Sequence, residues 1–162
     1  AAVGVVAYNG YTKSAKLKTA HTNLKTVSKW LAAESAKVCS AQQGSAKNGM
    51  YLNNDDSNFR YFVKCSSDGT DLAWAASHFF TNNKKFINPY TSENVIAKKA
   101  TSSSYHIGRG GTKTLSNSYI GLGEIMFMNV SGEDTTAILS NVGDGDGNNK
   151  NEWVFISSPR NY

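Results

Sequence analysis

Residues 1–40, AAVGVVAYNGYTKSAKLKTAHTNLKTVSKWLAAESAKVCS, read as one long helix that changes character along its length. From Ala1 to Ala7 nothing is charged, and the side chains are small and apolar. From Lys13 onward Leu17, Ala20, Leu24, Val27 and Leu31 recur at three- and four-residue steps, with Lys16, Lys18, Lys25 and Lys29 between them. That spacing lays one apolar stripe on a partner. No proline interrupts the run, no glycine follows Gly10 within it, and QQGSAKNG, with Gly44 and Gly49, supplies the stop. At about 1.5 Å per residue the helix reaches roughly 55 Å, longer than a domain of this size is wide. One end must project or pack elsewhere.

Beyond the helix the period changes. MYLNNDDSNFRYFVKC holds a loop at 53–58, after which FRYFVKC alternates as a strand ending at Cys65. SSDGTD is a turn by composition, and 72–80 reads as a short buried helix because alanine is poor in strands. TNNKKFINPYTSENV is irregular, with Asn88-Pro89 marking a turn. YIGLGEIMFMNVSG and, after EDTT, AILSNV read as strands; DGDGNNKNE is a polar loop, and EWVFISS supplies a last strand. The expected fold is α+β, one long N-terminal helix packed on a C-terminal antiparallel sheet. Residues 1–12 form a projecting part, 13–40 pack on the sheet, and 41–162 make a head that is one domain with the helix.

A chain of 162 residues, 40% hydrophobic, is long enough to bury a core without a metal to hold it. Eight Tyr, seven Phe and three Trp suffice to anchor a sheet, and only two prolines stand against abundant Gly, Ser, Asn and Thr. The net charge of +5 is a mild basic excess, better explained by solvated lysines than by a nucleic-acid surface. Neither a complete signal peptide nor a transmembrane span is expected from the short apolar opening. Its abrupt start inside an apolar helix predicts a more hydrophobic segment upstream. Cys39 and Cys65 have neither CxxC nor Cys/His metal spacing: free thiols inside a cell, one disulfide in an exported chain.

Catalysis finds little support, and no enzyme is expected. His21, His78 and His106 are dispersed, outside any HxxxH, HExxH or triad-like arrangement, and no GxSxG elbow occurs. Gly108-Arg109-Gly110-Gly111 lacks the GK[ST] of a phosphate loop and reads as a flexible hairpin loop. Chemical content is concentrated in Asp144-Gly145-Asp146-Gly147-Asn148, with Glu152 beyond it. Oxygen-bearing side chains at alternate positions suit a hard cation such as Ca²⁺. The pattern departs from an EF-hand, and a turn between two strands explains it without a metal. Asp144, Asp146, Asn148 and Glu152 are the candidate ligands, and the cofactor expectation is none or Ca²⁺.

The opening residues resemble the middle of the N-terminal helix of a type IV pilin or related pseudopilin. In that family an apolar, membrane-inserting segment leads into a short tyrosine-containing stretch and then a charged amphipathic half. Ala1-Ala2-Val3 matches the end of the apolar run, and Tyr8 and Tyr11 match the tyrosines. Val6 stands where many members carry a helix-breaking proline. Asn88-Pro89-Tyr90 is similar to a segment common in pseudopilins, and the acidic loop before Trp153 is similar to their calcium loop. The resemblance in detail covers about a quarter of the chain.

It implies assembly rather than catalysis. Ala1, Val3, Val5, Val6, Tyr8 and Tyr11 would lie in a filament core, packed with identical subunits. The filament would be extracellular, and unassembled subunits would sit in a bacterial inner membrane until an assembly ATPase and platform protein extruded them. A Cys39–Cys65 disulfide would staple the helix end to the region after it, unlike the C-terminal loop bridged in many pilins. Roles of this kind are adhesion, motility or DNA uptake, with DNA or a surface ligand as partner and no small-molecule substrate. Lys13, Lys16, Lys18 and Lys25 could line a basic groove but would be covered by neighbouring subunits, so Lys84, Lys85, Lys98, Lys99 and Arg109 are the better DNA candidates. Two alternatives stand beside the pilus subunit: a major pseudopilin of a type II secretion system with a structural calcium site, and a secreted binding module whose helix joins a homotypic coiled coil.

Overall fold

The computed structural model of the chain describes residues 2–39, 49–53, 60–67, 69–82, 86–92, 97–99, 107–108, 120–131 and 135–159. The helix α1 is continuous over Ala2–Cys39, a rise of about 57 Å at 1.5 Å per residue. A second helix, α2, spans Gly69–Asn82. The strands are β1 (Gly49–Asn53), β2 (Arg60–Lys64), β3 (Ala97–Lys99), β4 (Ile107–Gly108), β5 (Ile125–Ser131), β6 (Thr135–Asn141) and β7 (Asn151–Ser157).

The stripe read from the sequence is the stripe that is buried. Ala20, Leu24, Val27 and Leu31 are each at most 3% exposed, and Leu17 packs against the same core. Ser28 and Ser35 are buried beside them, and the Ser28 hydroxyl donates to the Leu24 carbonyl at 2.6 Å. Bonding back into its own helix gives that hydroxyl a partner and removes the cost of burying it. On α2 the buried residues Leu72, Ala73, Ala75, Ala76 and Phe80 are mostly small, which lets neighbouring elements come close. Trp30 of α1 stacks on Phe79 at 4.9 Å between ring centroids, and Phe80 stacks on Phe127 of β5 at 5.6 Å. One apolar core thus joins both helices, the β1–β2 hairpin and one face of the main sheet.

That sheet is an antiparallel meander, β5-β6-β7, extended on the outer side of β5 by β3 and β4, both parallel to β5. The antiparallel expectation therefore holds for the meander and fails at this edge, where the chain reaches β5 by crossover rather than by hairpin. Register places Phe127, Ile138 and Val154 side by side across the meander. Phe127 and Ile138 are buried in the helix-side core, with Val154 packed against it. One residue along, Met126, Leu139 and Trp153 are aligned on the opposite face. Met126 and Leu139 belong to a second apolar cluster with Ile120, Met128, Val130 and Ala137, against which Trp153 packs. Strand β6 is consequently buried on both faces, so its polar-looking ends, Thr136 and Asn141, are inside as well.

Three local expectations need correction. Residues 49–53 form β1, whereas Gly49 was expected to be only punctuation; Leu52 and Val63 are both buried, so it is pairing with β2 that makes the strand. The strand expected from YIGLGEIMFMNVSG begins only at Ile125, because 120–124 turn, with Gly123 at φ +77°. EDTT is not all turn, since Thr135 and Thr136 open β6.

Candidate functional site

At Gly10 and Tyr11 α1 stands clear of the head. A Cβ added at Gly10 would find open space, and Tyr11 is 75% exposed. The helical backbone continues without a break to Ala2, carrying Val3, Val5, Val6 and Tyr8 of the expected assembly interface; Ala1 lies outside the described residues. Among the described residues no helix is long and apolar enough to cross a membrane.

Above Tyr11 successive turns of α1 are tied to the head by polar contacts. Lys13 forms an ion pair with Asp146 of the β6–β7 loop, and this carboxylate raises the lysine pKa, first by hydrogen bonding and then by its charge. The Lys16 ammonium lies 6.0 Å from the centre of the Tyr90 ring. His21 Nδ1 is 2.9 Å from Glu152 Oε2 of β7. The Asn23 side-chain amide donates to the Ile87 carbonyl at 3.0 Å. Asn23 and His21 carry no sequence signal for these roles beyond flanking the buried stripe. His21, expected as a plain surface histidine, is half-buried and engaged.

The acidic loop brings two of the four candidate metal ligands together. Asp144 Oδ1 accepts from the Asp146 amide at 2.8 Å and the Asn148 amide at 3.1 Å, while Oδ2 accepts from the Asn148 side chain at 2.6 Å. These hydrogen bonds, that of the Asn148 side chain foremost, hold the Asp144 pKa below the usual carboxylate value. Asp146 faces Lys13 instead, and Glu152 faces His21, with Lys150 Nζ 4.0 Å from its other oxygen. No group of three or more His, Cys, Asp or Glu side chains converges as a metal site among the described residues.

Asn88-Pro89-Tyr90 is a clasp across one end of the sheet. The Asn88 amide donates to the Leu122 carbonyl at 2.8 Å, and its Oδ1 accepts from the Tyr90 amide at 2.9 Å. The Tyr90 hydroxyl donates to the Val142 carbonyl at 2.6 Å. Two glycines make room. Gly123 (φ +77°) lies against the Asn88 side chain, and a Cβ at Gly143 (φ +71°) would come within 2.7 Å of the Tyr90 hydroxyl. Burial, and secondarily the charge of Asp144, raise the Tyr90 pKa. Asn141, fully buried, completes the corner: its side-chain amide donates to the Ile120 carbonyl and to Asn149 Oδ1, and its own Oδ1 accepts from the Lys150 amide.

Cys39 and Cys65 form a disulfide with Cα atoms 5.2 Å apart, closing the 26-residue separation between the end of α1 and the turn after β2. Of the DNA candidates, Lys98 and Lys99 lie on β3, in register with Met126 and Phe127 of β5. Lys84, Lys85 and Arg109 lie outside the described residues, as do His106 and most of the Gly108–Gly111 run; Gly108 itself belongs to β4. Comparison with protein-family models, with curated proteins and with solved structures finds no match.

Proposed function

We propose that the chain is a structural subunit of an extracellular type IV pilus, a pilin-like protein acting by self-assembly with copies of itself in adhesion, motility or DNA uptake. One observation carries the reading: a single unbroken helix, Ala2–Cys39, whose upper stripe is part of the head core while its lower end is apolar in sequence and exposed at Gly10 and Tyr11. A helix of that kind has no use for its lower third as a free monomer, whereas bundling with other copies would bury it. Before assembly that same end would hold the subunit in the bacterial inner membrane, and the disulfide suits an exported protein.

Introducing Val6→Asp and Tyr11→Asp separates assembly from folding. The reading expects surface polymer to be lost while the head melts at an unchanged temperature. Polymer formed normally by both variants would count against it.

The calcium-binding pseudopilin is the second reading. What favours it is the glycine-spaced 142–150 loop, in which Gly143, Gly145 and Gly147 all take positive φ, braced by the Asn88-Pro89-Tyr90 clasp.

A further inference from the structure

Lys18, Lys25 and Lys29 are separated by seven and four residues, so they form one row along α1, about 16 Å long. All three are exposed and lie on the side away from the buried stripe. The helix itself supplies them no counter-charge within a turn, because the first acidic residue on α1 is Glu34, and among the described residues no ion pair engages them. Around them the surface is low: Ala15, Thr19, Thr22, Thr26 and Ala33 are exposed and small. The Thr19 and Thr22 hydroxyls donate to the carbonyls of Ala15 and Lys18, at 2.9 and 2.8 Å, so they need no outside partner. A second chain can come close to this face, provided that it answers the positive charge.

We propose that the Lys18-Lys25-Lys29 row is the seat for a second copy of this chain, which brings the Asp144 turn of its β6–β7 loop against it. This rests on the filament reading, in which the outward faces of neighbouring helices turn toward one another. Rows of like charge brought together without an anion between them would repel, and desolvation would sharpen the penalty. Asp144 supplies the anion: it is exposed, its carboxylate is hydrogen-bonded within its own turn, and among the described residues it forms no ion pair, whereas Asp146 is the direct partner of Lys13.

The two surfaces also lie at different heights on the molecule. Gly145, next to Asp144, sits beside the Lys13 backbone, while the row runs from five to sixteen residues further up the helix, about 8 to 24 Å. With the helices parallel, as the filament reading has them, a copy can present its Asp144 to a neighbour's row only when displaced along the helix axis. Such a contact is head-to-tail and does not close on itself, which is the geometry of an open polymer rather than a two-fold dimer.

Charge swapping in the full chain, expressed from its own gene in its own cell, tests the seam. Lys18→Glu/Lys25→Glu/Lys29→Glu should reduce surface polymer about tenfold or more, as loss of close charge pairs does at other interfaces. Asp144→Lys alone should do the same, and the combined variant should recover to within about twofold of the natural chain. Melting of each purified full chain, expected to be unchanged in the lysine triple variant and lowered to the same extent in the two variants that carry Asp144→Lys, which lose the hydrogen bonds of that carboxylate, separates lost assembly from lost folding. Normal polymer from the separate reversals, or failure of the combination to recover it, would overturn the seam and leave the filament reading standing. No polymer from the natural chain would overturn both.

Discussion

The Tyr90 hydroxyl donates to the Val142 carbonyl at 2.6 Å, so the irregular segment after α2 holds the mouth of the β6–β7 loop. Removing the hydroxyl in Tyr90→Phe leaves that carbonyl short of a partner and should cost about 1 to 2 kcal/mol. Gly143→Ala should cost more, since it adds a Cβ against the same hydroxyl at φ +71°. Urea unfolding of both variants checks the order; equal stability of Gly143→Ala and the natural chain would contradict the clasp.

The alternation of three- and four-residue steps from Leu17 to Leu31 was enough to place α1 and its buried face, because helical period is a local property. The run 72–80 was legible as a helix through its alanines, and the β5–β7 strands through their apolar runs between turn residues. What the sequence hid was pairing. Residues 49–53 are a strand only because β2 lies beside them, and Ala97–Lys99 only because β5 does. At the site, Asp144 and Asn148 could be placed together from spacing alone. That Asp146 would turn to Lys13, and Glu152 to His21, depended on where α1 crosses the sheet, which spacing does not encode.

The Cys39–Cys65 bridge ties the top of α1 to the turn after β2. In the chain-entropy model a loop of this length contributes about 3.5 kcal/mol. Cys39→Ser/Cys65→Ser should lower unfolding stability by roughly that amount, and amide exchange should accelerate first in β1 and β2. Identical urea midpoints with and without reductant would contradict it.

Protonation should act at both ends of the pH scale. The Asp144 pKa is lowered, so the order it gives the 142–150 loop is present above the usual carboxylate pKa, about 3.9, and is lost only as pH falls further, through the lowered folded value. Lys13 and Tyr90 are raised, so their contributions are whole below the unfolded values, about 10, and disappear as pH climbs through the folded ones. Following the loop amides by NMR from neutral to acid, and melting from neutral to strongly alkaline pH, should show these two losses. A loop that disorders near pH 5, or stability that rises above pH 10, would contradict the assignment.

Calcium separates the pilus from the pseudopilin. The Asp144 carboxylate already accepts three hydrogen bonds, and Asp146 and Glu152 are engaged by Lys13 and His21. Melting temperature is therefore expected to be insensitive to sub-millimolar Ca²⁺. A large rise, abolished by Asp144→Ala, would favour the pseudopilin, since a ligand that binds the folded state alone must stabilise it.

The central claim is that α1 builds a polymer. Material sheared from the surface of cells carrying the natural gene, labelled with an antibody to the 41–162 head and imaged by electron microscopy, tests it most directly. The account predicts labelled filaments that vanish when the gene is deleted and return with it. Head antigen found only as soluble monomer, with the filament population unaltered by the deletion, would contradict it.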